Sequence, residues 1–179
     1  MQLIVSPINA LEINKETIAL MAAERSDENE AFRLYLMNLD GAKVDEQVHQ
    51  LNDTIAPQID CTECGACCKN LMINIIDAEI KPLALVLDMP ENHFKEKFIE
   101  ISHQGQMVMN AIPCTFLKGN KCSVYGKRFN ECRDFPHLHK DHFKGRLFGT
   151  LIHYAMCPIV YNVVEGLKVE TGFFNESKA

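Results

Sequence analysis

The chain has 179 residues, of which 47% are hydrophobic and 23% charged, and its formal net charge is −6. This length and composition are typical of one globular domain with a sizeable core, so its eight cysteines are not needed to hold together a miniature fold. The acidic balance and the lack of tryptophan argue against a nucleic-acid binder, which is usually basic and stacks aromatic side chains on bases.

The first residues lack the pattern of a secretory signal peptide, because the first cation is Lys15 and Pro7 interrupts a short apolar run. No apolar stretch approaches the roughly 18 residues that a membrane-spanning helix needs. We therefore expect a cytoplasmic protein that does not bind membranes. Cytoplasmic thiols are kept reduced, so metal binding is a better explanation of the cysteines than a disulfide framework.

Cysteine distribution divides the chain into two regions. Residues 1–57 contain no cysteine and residues 58–179 contain all eight. The first region is predicted to be a helical hairpin, with one helix over Thr17 to Asp40 that ends at Gly41. Pro57 ends the second helix, whose buried face is marked by apolar residues at spacings of 4, 3 and 4, namely Val44, Val48, Leu51 and Ile55.

The second region mixes short strands and helices. A strand is predicted over 71–76, and a helix that Pro82 makes irregular follows Asp77. Another helix is predicted over residues 90–101, beginning at Pro90, and residues 107–125 predict two strands joined by a turn at Gly119-Asn120. The segment after Cys157 is compatible with helix or strand. We predict a helix-rich α+β fold, a single domain with a small β-hairpin whose cysteine-rich half is organised around metal.

Four cysteines fall within residues 61–68, which we call the cysteine octet: Cys61, Cys64, Cys67 and Cys68. A Cys-x2-Cys turn directs two sulfurs to one metal, and Gly65 stands where such a turn often needs a positive φ. The first three cysteines resemble a bacterial ferredoxin run, but Cys68 follows directly and is not followed by proline. Adjacent side chains are expected to face different ways, so the octet alone should not complete one centre.

The remaining cysteines lie farther apart, with 7, 9 and 24 residues between them: Cys114, Cys122, Cys132 and Cys157. Such separations are typical of ligands that a fold brings together. Several cations stand near these thiols in the sequence and would favour the thiolate form, which is the form that binds metals: Lys69, Lys121, Arg128 and Arg133. Eight thiols would satisfy two zinc sites, or one iron–sulfur cluster with several thiols left over. The sequence leaves the pairing open.

Three histidines close to Cys132, namely His137, His139 and His142, are a further candidate metal-binding group. Their spacing fits no standard ligand pattern, so we favour a solvated loop. No phosphate-binding loop, nucleophile elbow, metalloprotease helix or dinucleotide fingerprint is present.

The segments "CTECGACC" and "IPCTFLKGNKCSVYGKRFNECRDFP" resemble the YkgJ-type CxxCxxCC cysteine-cluster family, described as putative zinc- or iron-chelating proteins. The resemblance covers residues 58–140 and implies metal chelation by the cysteines, with zinc and iron both open. One departure is Arg128-Phe129, where the family usually has Arg-Pro. Flagellin lysine methylases contain a similar cluster, which keeps an enzymatic role open.

We therefore expect a metal-binding protein that holds zinc or an iron–sulfur cluster, in a structural, storage or transfer role. One alternative is a redox or group-transfer enzyme that uses a [4Fe–4S] cluster. Another is a zinc-stabilised interaction module with an exposed apolar patch on its N-terminal helices. Apart from the metal ion, the sequence identifies no partner.

Overall fold

The computed structural model describes residues 10–176. The helices of this part of the chain are α1 (Lys15–Glu24), α2 (Ser26–Met37), α3 (Gly41–Ile55), α4 (Cys61–Cys64), α5 (Ala66–Asn70), α6 (Ile80–Val86), α7 (Glu91–Phe98), α8 (Asn130–Asp134), α9 (Phe143–Tyr154), α10 (Pro158–Glu170) and α11 (Phe173–Glu176). Its strands are β1 (Ile99–Ile101), β2 (Met107–Met109), β3 (Leu117–Lys118) and β4 (Lys121–Cys122). The predicted helix-rich α+β class is confirmed. Among residues 10–176, no helix is long and apolar enough to cross a bilayer.

Contacts divide the described chain into two compact units. The helical unit comprises residues 10–59 and 136–176, and the cysteine unit comprises residues 60–135. Residues 136–176 group with the N-terminal helices because α9 and α10 both pack against α3. The division into domains 1–57 and 58–179 stays a prediction.

In the helical unit, α3 and α10 supply much of the core. The four apolar residues of α3 that the sequence singled out are all buried, which confirms the predicted helix and its buried face. On α10, Val160, Val163, Val164 and Leu167 are fully buried. A Cβ at Gly166 would lie 2.9 Å from Leu51 Cδ2, so the absence of a side chain on Gly166 allows α3 and α10 to approach closely.

The helix predicted over Thr17 to Asp40 is in fact two helices, because Arg25 separates α1 from α2. The Arg25 guanidinium donates to the Tyr161 hydroxyl at 3.2 Å and to the Glu165 carboxylate, so long-range contacts outweigh local helix propensity here. Gly41 begins α3 and does not end the helix before it. The Asp40 carboxylate caps α3 by accepting from the Lys43 N–H at 3.0 Å.

Lys168 is a charged residue in the core of the helical unit, with a side chain that is 0% exposed. Its Nζ lies 2.5 Å from Glu28 Oε1 and 2.7 Å from Glu165 Oε1. The Tyr154 hydroxyl also donates to Glu165 Oε1, at 2.6 Å. The burial of this ammonium group is tolerated because two carboxylates pair with it.

The cysteine unit is built around an apolar cluster that includes four phenylalanines, three of which have rings in contact with one another. The Phe98 ring lies 5.0 Å from that of Phe94 and 5.1 Å from that of Phe116, centroid to centroid. The other buried members come from α6, β2 and the loops: Ile75, Ile80, Leu83, Ala84, Met109, Val124 and Phe129. This cluster provides the framework on which the cysteine-bearing segments lie.

The β-structure differs in part from the prediction. The turn at Gly119-Asn120 is confirmed, since β3 and β4 pair on either side of it. Residues 107–109 pair instead with β1, which occupies the end of the helix predicted from Pro90. The strand predicted over 71–76 is reduced to one bridge, Asn74 to Val108. The ambiguous segment after Cys157 is the helix α10.

Candidate metal centre

The cysteine octet folds as two short helices joined by one glycine. Gly65 has φ 61°, and it ends α4 and begins α5, so the predicted positive φ is confirmed. The Asp60 side chain caps α4 by accepting from the Thr62 N–H at 2.8 Å and from the Thr62 hydroxyl at 2.7 Å. One pair of cysteines therefore lies on α4 and the other on α5.

The octet packs against the turn between β3 and β4. A Cβ on Gly65 would lie 3.0 Å from the Asn120 carbonyl oxygen, so a side chain at position 65 would push the two backbones apart by a few tenths of an ångström. Lys69 Nζ donates to Asn120 Oδ1 at 2.6 Å, and Lys121 pairs with Glu63 at 2.8 Å. These contacts bring β4, which ends at Cys122, to the octet.

A backbone hydrogen bond connects the octet to a second distal cysteine. The Cys114 N–H donates to the Cys68 carbonyl oxygen at 2.8 Å. Cys132 lies on α8, where the Asn130 N–H donates to Glu79 Oε1 at 2.6 Å. Three distal cysteines are partly buried and pack against the apolar cluster of the cysteine unit: Cys114, Cys122 and Cys132.

The thiols of this unit influence one another electrostatically. Burial raises the pKa of Cys132 to about 12, and the neighbouring Cys68, Cys114 and Cys122 add to that rise. Burial also raises the pKa of Cys61, and Cys64 adds to it. Thiols from α4, α5, α8 and the β3–β4 region are therefore close enough to raise one another's pKa.

Cys67 and Cys68 were expected to diverge, but that expectation is wrong for their sulfurs, which lie 4.0 Å apart. Adjacent helical residues differ by about 100° around the axis, and side-chain rotation brings the two Sγ atoms together. A hydrogen bond from Cys67 lowers the pKa of Cys68 to about 6. Cys68 is thus the most acidic thiol for which a pKa shift is resolved, and thiolate is the form that binds metal.

The donor set fits zinc or iron, which both accept thiolate ligands. Within residues 10–176, no disulfide bond joins the cysteines. In the described part of the chain, no group of three or more His, Cys, Asp or Glu side chains is arranged to hold an ion without adjustment. The segments that carry the thiols are in contact, and the sulfurs would have to converge further to bind one centre.

Cys157 lies in the helical unit, apart in sequence from the other seven cysteines. It is 8% exposed and precedes the first residue of α10. Its N–H donates to the His153 carbonyl at 2.9 Å, and its own carbonyl accepts from the Tyr161 N–H at 2.9 Å. Its role as a ligand stays a prediction.

His137, His139 and His142 also belong to the helical unit. Arg146 Nη1 donates to the His137 carbonyl at 3.0 Å, and the His142 N–H donates to Asp45 Oδ2 at 2.8 Å. These contacts engage the backbone of the segment, and the role of the three imidazoles stays a prediction.

Sequence reasoning did not identify Asn120 as a support for the octet. The Gly-Asn pair signals a turn, but no local pattern shows which segment the turn contacts. It also did not show that Tyr125 positions Arg128, whose guanidinium carbon lies 3.9 Å from the centre of the Tyr125 ring.

Residues 60–148 match the family model CxxCxxCC, described as a "putative zinc- or iron-chelating domain". The match includes the whole octet and the three distal cysteines of the cysteine unit, and it ends before Cys157. No curated protein and no solved structure matches the chain. Residues 60–148 of the chain thus match the CxxCxxCC family, whose model carries the description "putative zinc- or iron-chelating domain".

Proposed function

We propose that the cysteine unit holds a metal centre, either zinc or an iron–sulfur cluster. Its ligands would be drawn from the seven cysteines of residues 60–135: Cys61, Cys64, Cys67, Cys68, Cys114, Cys122 and Cys132. The observation that carries the proposal is the contact of the octet with two distal segments. Cys114 bonds to the backbone of Cys68, and the turn next to Cys122 packs on Gly65.

A structural role for the metal is supported by the framework around it. The two sheets of the cysteine unit have two strands each, and such small sheets are marginally stable by themselves. The distal cysteines pack against the apolar cluster, so a bound ion would join that cluster to the octet. Structural zinc contributes on the order of 10 kcal/mol in small zinc-finger peptides, which is ample for this purpose.

The test is to purify the full chain without oxygen and measure its metal content, acid-labile sulfide and visible spectrum. A brown protein with iron and sulfide would identify an iron–sulfur cluster and favour the redox or group-transfer alternative. A colourless protein with bound zinc would favour a structural or interaction role. A chain that reproducibly contains and takes up neither metal would refute the proposal.

Two serine variants refine the ligand set. Cys132→Ser removes a thiol of the cysteine unit, and we expect it to lower the metal content. Cys157→Ser is the matched variant in the helical unit. If Cys157→Ser retains the full metal content, Cys157 is not a required ligand.

A further inference from the structure

Cys67 and Cys68 present two sulfurs side by side on α5. Their Sγ atoms lie 4.0 Å apart, whereas the sulfurs of a disulfide bond are about 2.05 Å apart. Both residues are half-buried, so their thiols are neither sealed in the core nor wholly in solvent. Two thiols at this spacing can receive one ion between them.

The backbone that carries this pair is held by hydrogen bonds that do not involve sulfur. The Cys67 carbonyl accepts from the Leu71 N–H at 2.8 Å, within one helical turn. The Cys68 carbonyl accepts from the Cys114 N–H, also at 2.8 Å, and is thereby fixed to a distant segment of the cysteine unit. The fold therefore sets where the two side chains begin, and rotation about the side-chain bonds is what remains to adjust the sulfurs.

The spacing of the two sulfurs matches that of two ligands on one tetrahedral ion. Zinc–thiolate bonds are about 2.3 Å long, so two sulfurs on the same tetrahedral zinc ion lie about 3.8 Å apart. The distance of 4.0 Å exceeds that value by only about 0.2 Å, which a small rotation of either side chain would remove. A two-iron cluster requires the same spacing, because its four cysteines are divided between two tetrahedral irons.

A four-iron cluster requires a different arrangement of thiols. Its four cysteines are divided among four irons, so each iron takes a single thiolate. The irons occupy separate corners of the cluster and their thiolates point outward in different directions, so no two sulfurs share an ion. To serve two such corners, the sulfurs of Cys67 and Cys68 would have to turn away from each other.

We infer that Cys67 and Cys68 bind the same metal atom as a chelating pair, so that the centre is a zinc ion or a two-iron cluster and not a four-iron cluster. This inference rests on the proposed function and deepens it, because it states which two thiols share an ion. Since the two sulfurs already lie together, binding both of them costs less conformational entropy than recruiting two thiols from separate segments.

The test is proton–cadmium correlation NMR on the full wild-type chain, loaded with the cadmium-113 ion under anaerobic, reducing conditions. Cadmium replaces zinc at tetrahedral thiolate sites, and scalar coupling connects each cadmium nucleus with the β protons of the cysteines bound to it. The β protons of Cys67 and Cys68 should correlate with one and the same cadmium signal. Correlation with two different cadmium signals, or correlation of only one of the two residues, would overturn the inference.

Two serine variants give a reciprocal test. In Cys67→Ser, the cadmium signal that still couples to Cys68 should move to lower frequency, because the same ion has lost a sulfur ligand. In Cys68→Ser, the signal that couples to Cys67 should move in the same direction. A signal that keeps its wild-type position in either variant would show that the two thiols serve different ions.

The native centre is read from the chain purified without oxygen, by its iron and acid-labile sulfide content. A four-iron cluster would overturn the inference and leave the proposed metal centre standing. A wild-type chain that takes up neither cadmium, zinc nor iron would instead refute the metal centre itself.

Discussion

Replacing Gly65 with alanine tests how the octet is held. Gly65 has φ 61°, a left-handed conformation that costs an L-residue about 1–2 kcal/mol. The new Cβ would lie 3.0 Å from the Asn120 carbonyl oxygen and 3.2 Å from the Asn120 Cα. Both neighbours are backbone atoms, so the turn between β3 and β4 would have to shift to relieve the crowding.

The matched control for this prediction is Gly119→Ala. Gly119 has φ 64°, and a Cβ added there would meet nothing within 4 Å. Both variants therefore place an alanine in a left-handed backbone conformation, but only Gly65→Ala also crowds a Cβ against Asn120. We expect Gly119→Ala to lower the free energy of unfolding by about 1 kcal/mol, and Gly65→Ala by about 2 kcal/mol or more.

The assay is urea unfolding followed by circular dichroism, with hydrogen exchange of residues 60–135 to assign the loss to the cysteine unit. Gly65→Ala should also bind Zn²⁺ more weakly than Gly119→Ala, because Gly65 sets the orientation of α4 relative to α5. Equal destabilisation by the two substitutions would show that the contact with Asn120 does not hold the octet, and would refute the reasoning.

Three further predictions concern buried or half-buried groups. Lys168→Met should destabilise the helical unit by about 3 kcal/mol in urea unfolding, because Glu28 and Glu165 lose the cation between them; an unchanged midpoint would contradict this. Metal binding should weaken as the pH falls and should release protons, because thiols such as Cys132, with a pKa of about 12, are protonated in the metal-free chain. Calorimetry in buffers of different ionisation enthalpy measures those protons, and a binding enthalpy independent of the buffer would contradict the prediction. Without metal, folding should be less stable at high pH, because the unfolded chain loses the Cys132 proton near pH 9 while the folded chain keeps it up to about pH 12. The free energy of unfolding in urea should therefore be constant below about pH 9 and fall as the pH rises toward 12, and a value that stays constant over that range would contradict this.

The parts of the structure that sequence predicted well depend on local patterns. The buried face of α3 follows from the spacing of its apolar residues, and the positive φ of Gly65 follows from its place in a cysteine turn. The turn between β3 and β4 follows from the Gly119-Asn120 pair alone. In each case the residues that specify the structure are adjacent or one helical turn apart.

The parts that sequence missed depend on distant partners. Arg25 interrupts a segment rich in helix-forming residues because it contacts Tyr161 and Glu165, far along the chain. Ile99–Ile101 leaves the predicted helix because it pairs with Met107–Met109. Helix propensity and apolar periodicity describe neighbouring residues only. They therefore could not predict the break at Arg25 or the strand at Ile99–Ile101, which depend on contacts with distant residues.

The candidate site shows the same division. The type and spacing of its cysteines predict metal chemistry directly, which the family match supports. How the cysteines meet depends on backbone contacts that contain no sulfur: Gly65 against Asn120, and the Cys114 N–H on the Cys68 carbonyl. Because these contacts do not involve the thiols, they can bring the cysteine-bearing segments together before an ion is bound. Metal binding would then have to order mainly the cysteine side chains, since the backbone is already in place. The conformational entropy lost on binding would therefore be smaller than if the ion also had to bring together segments so far apart in sequence.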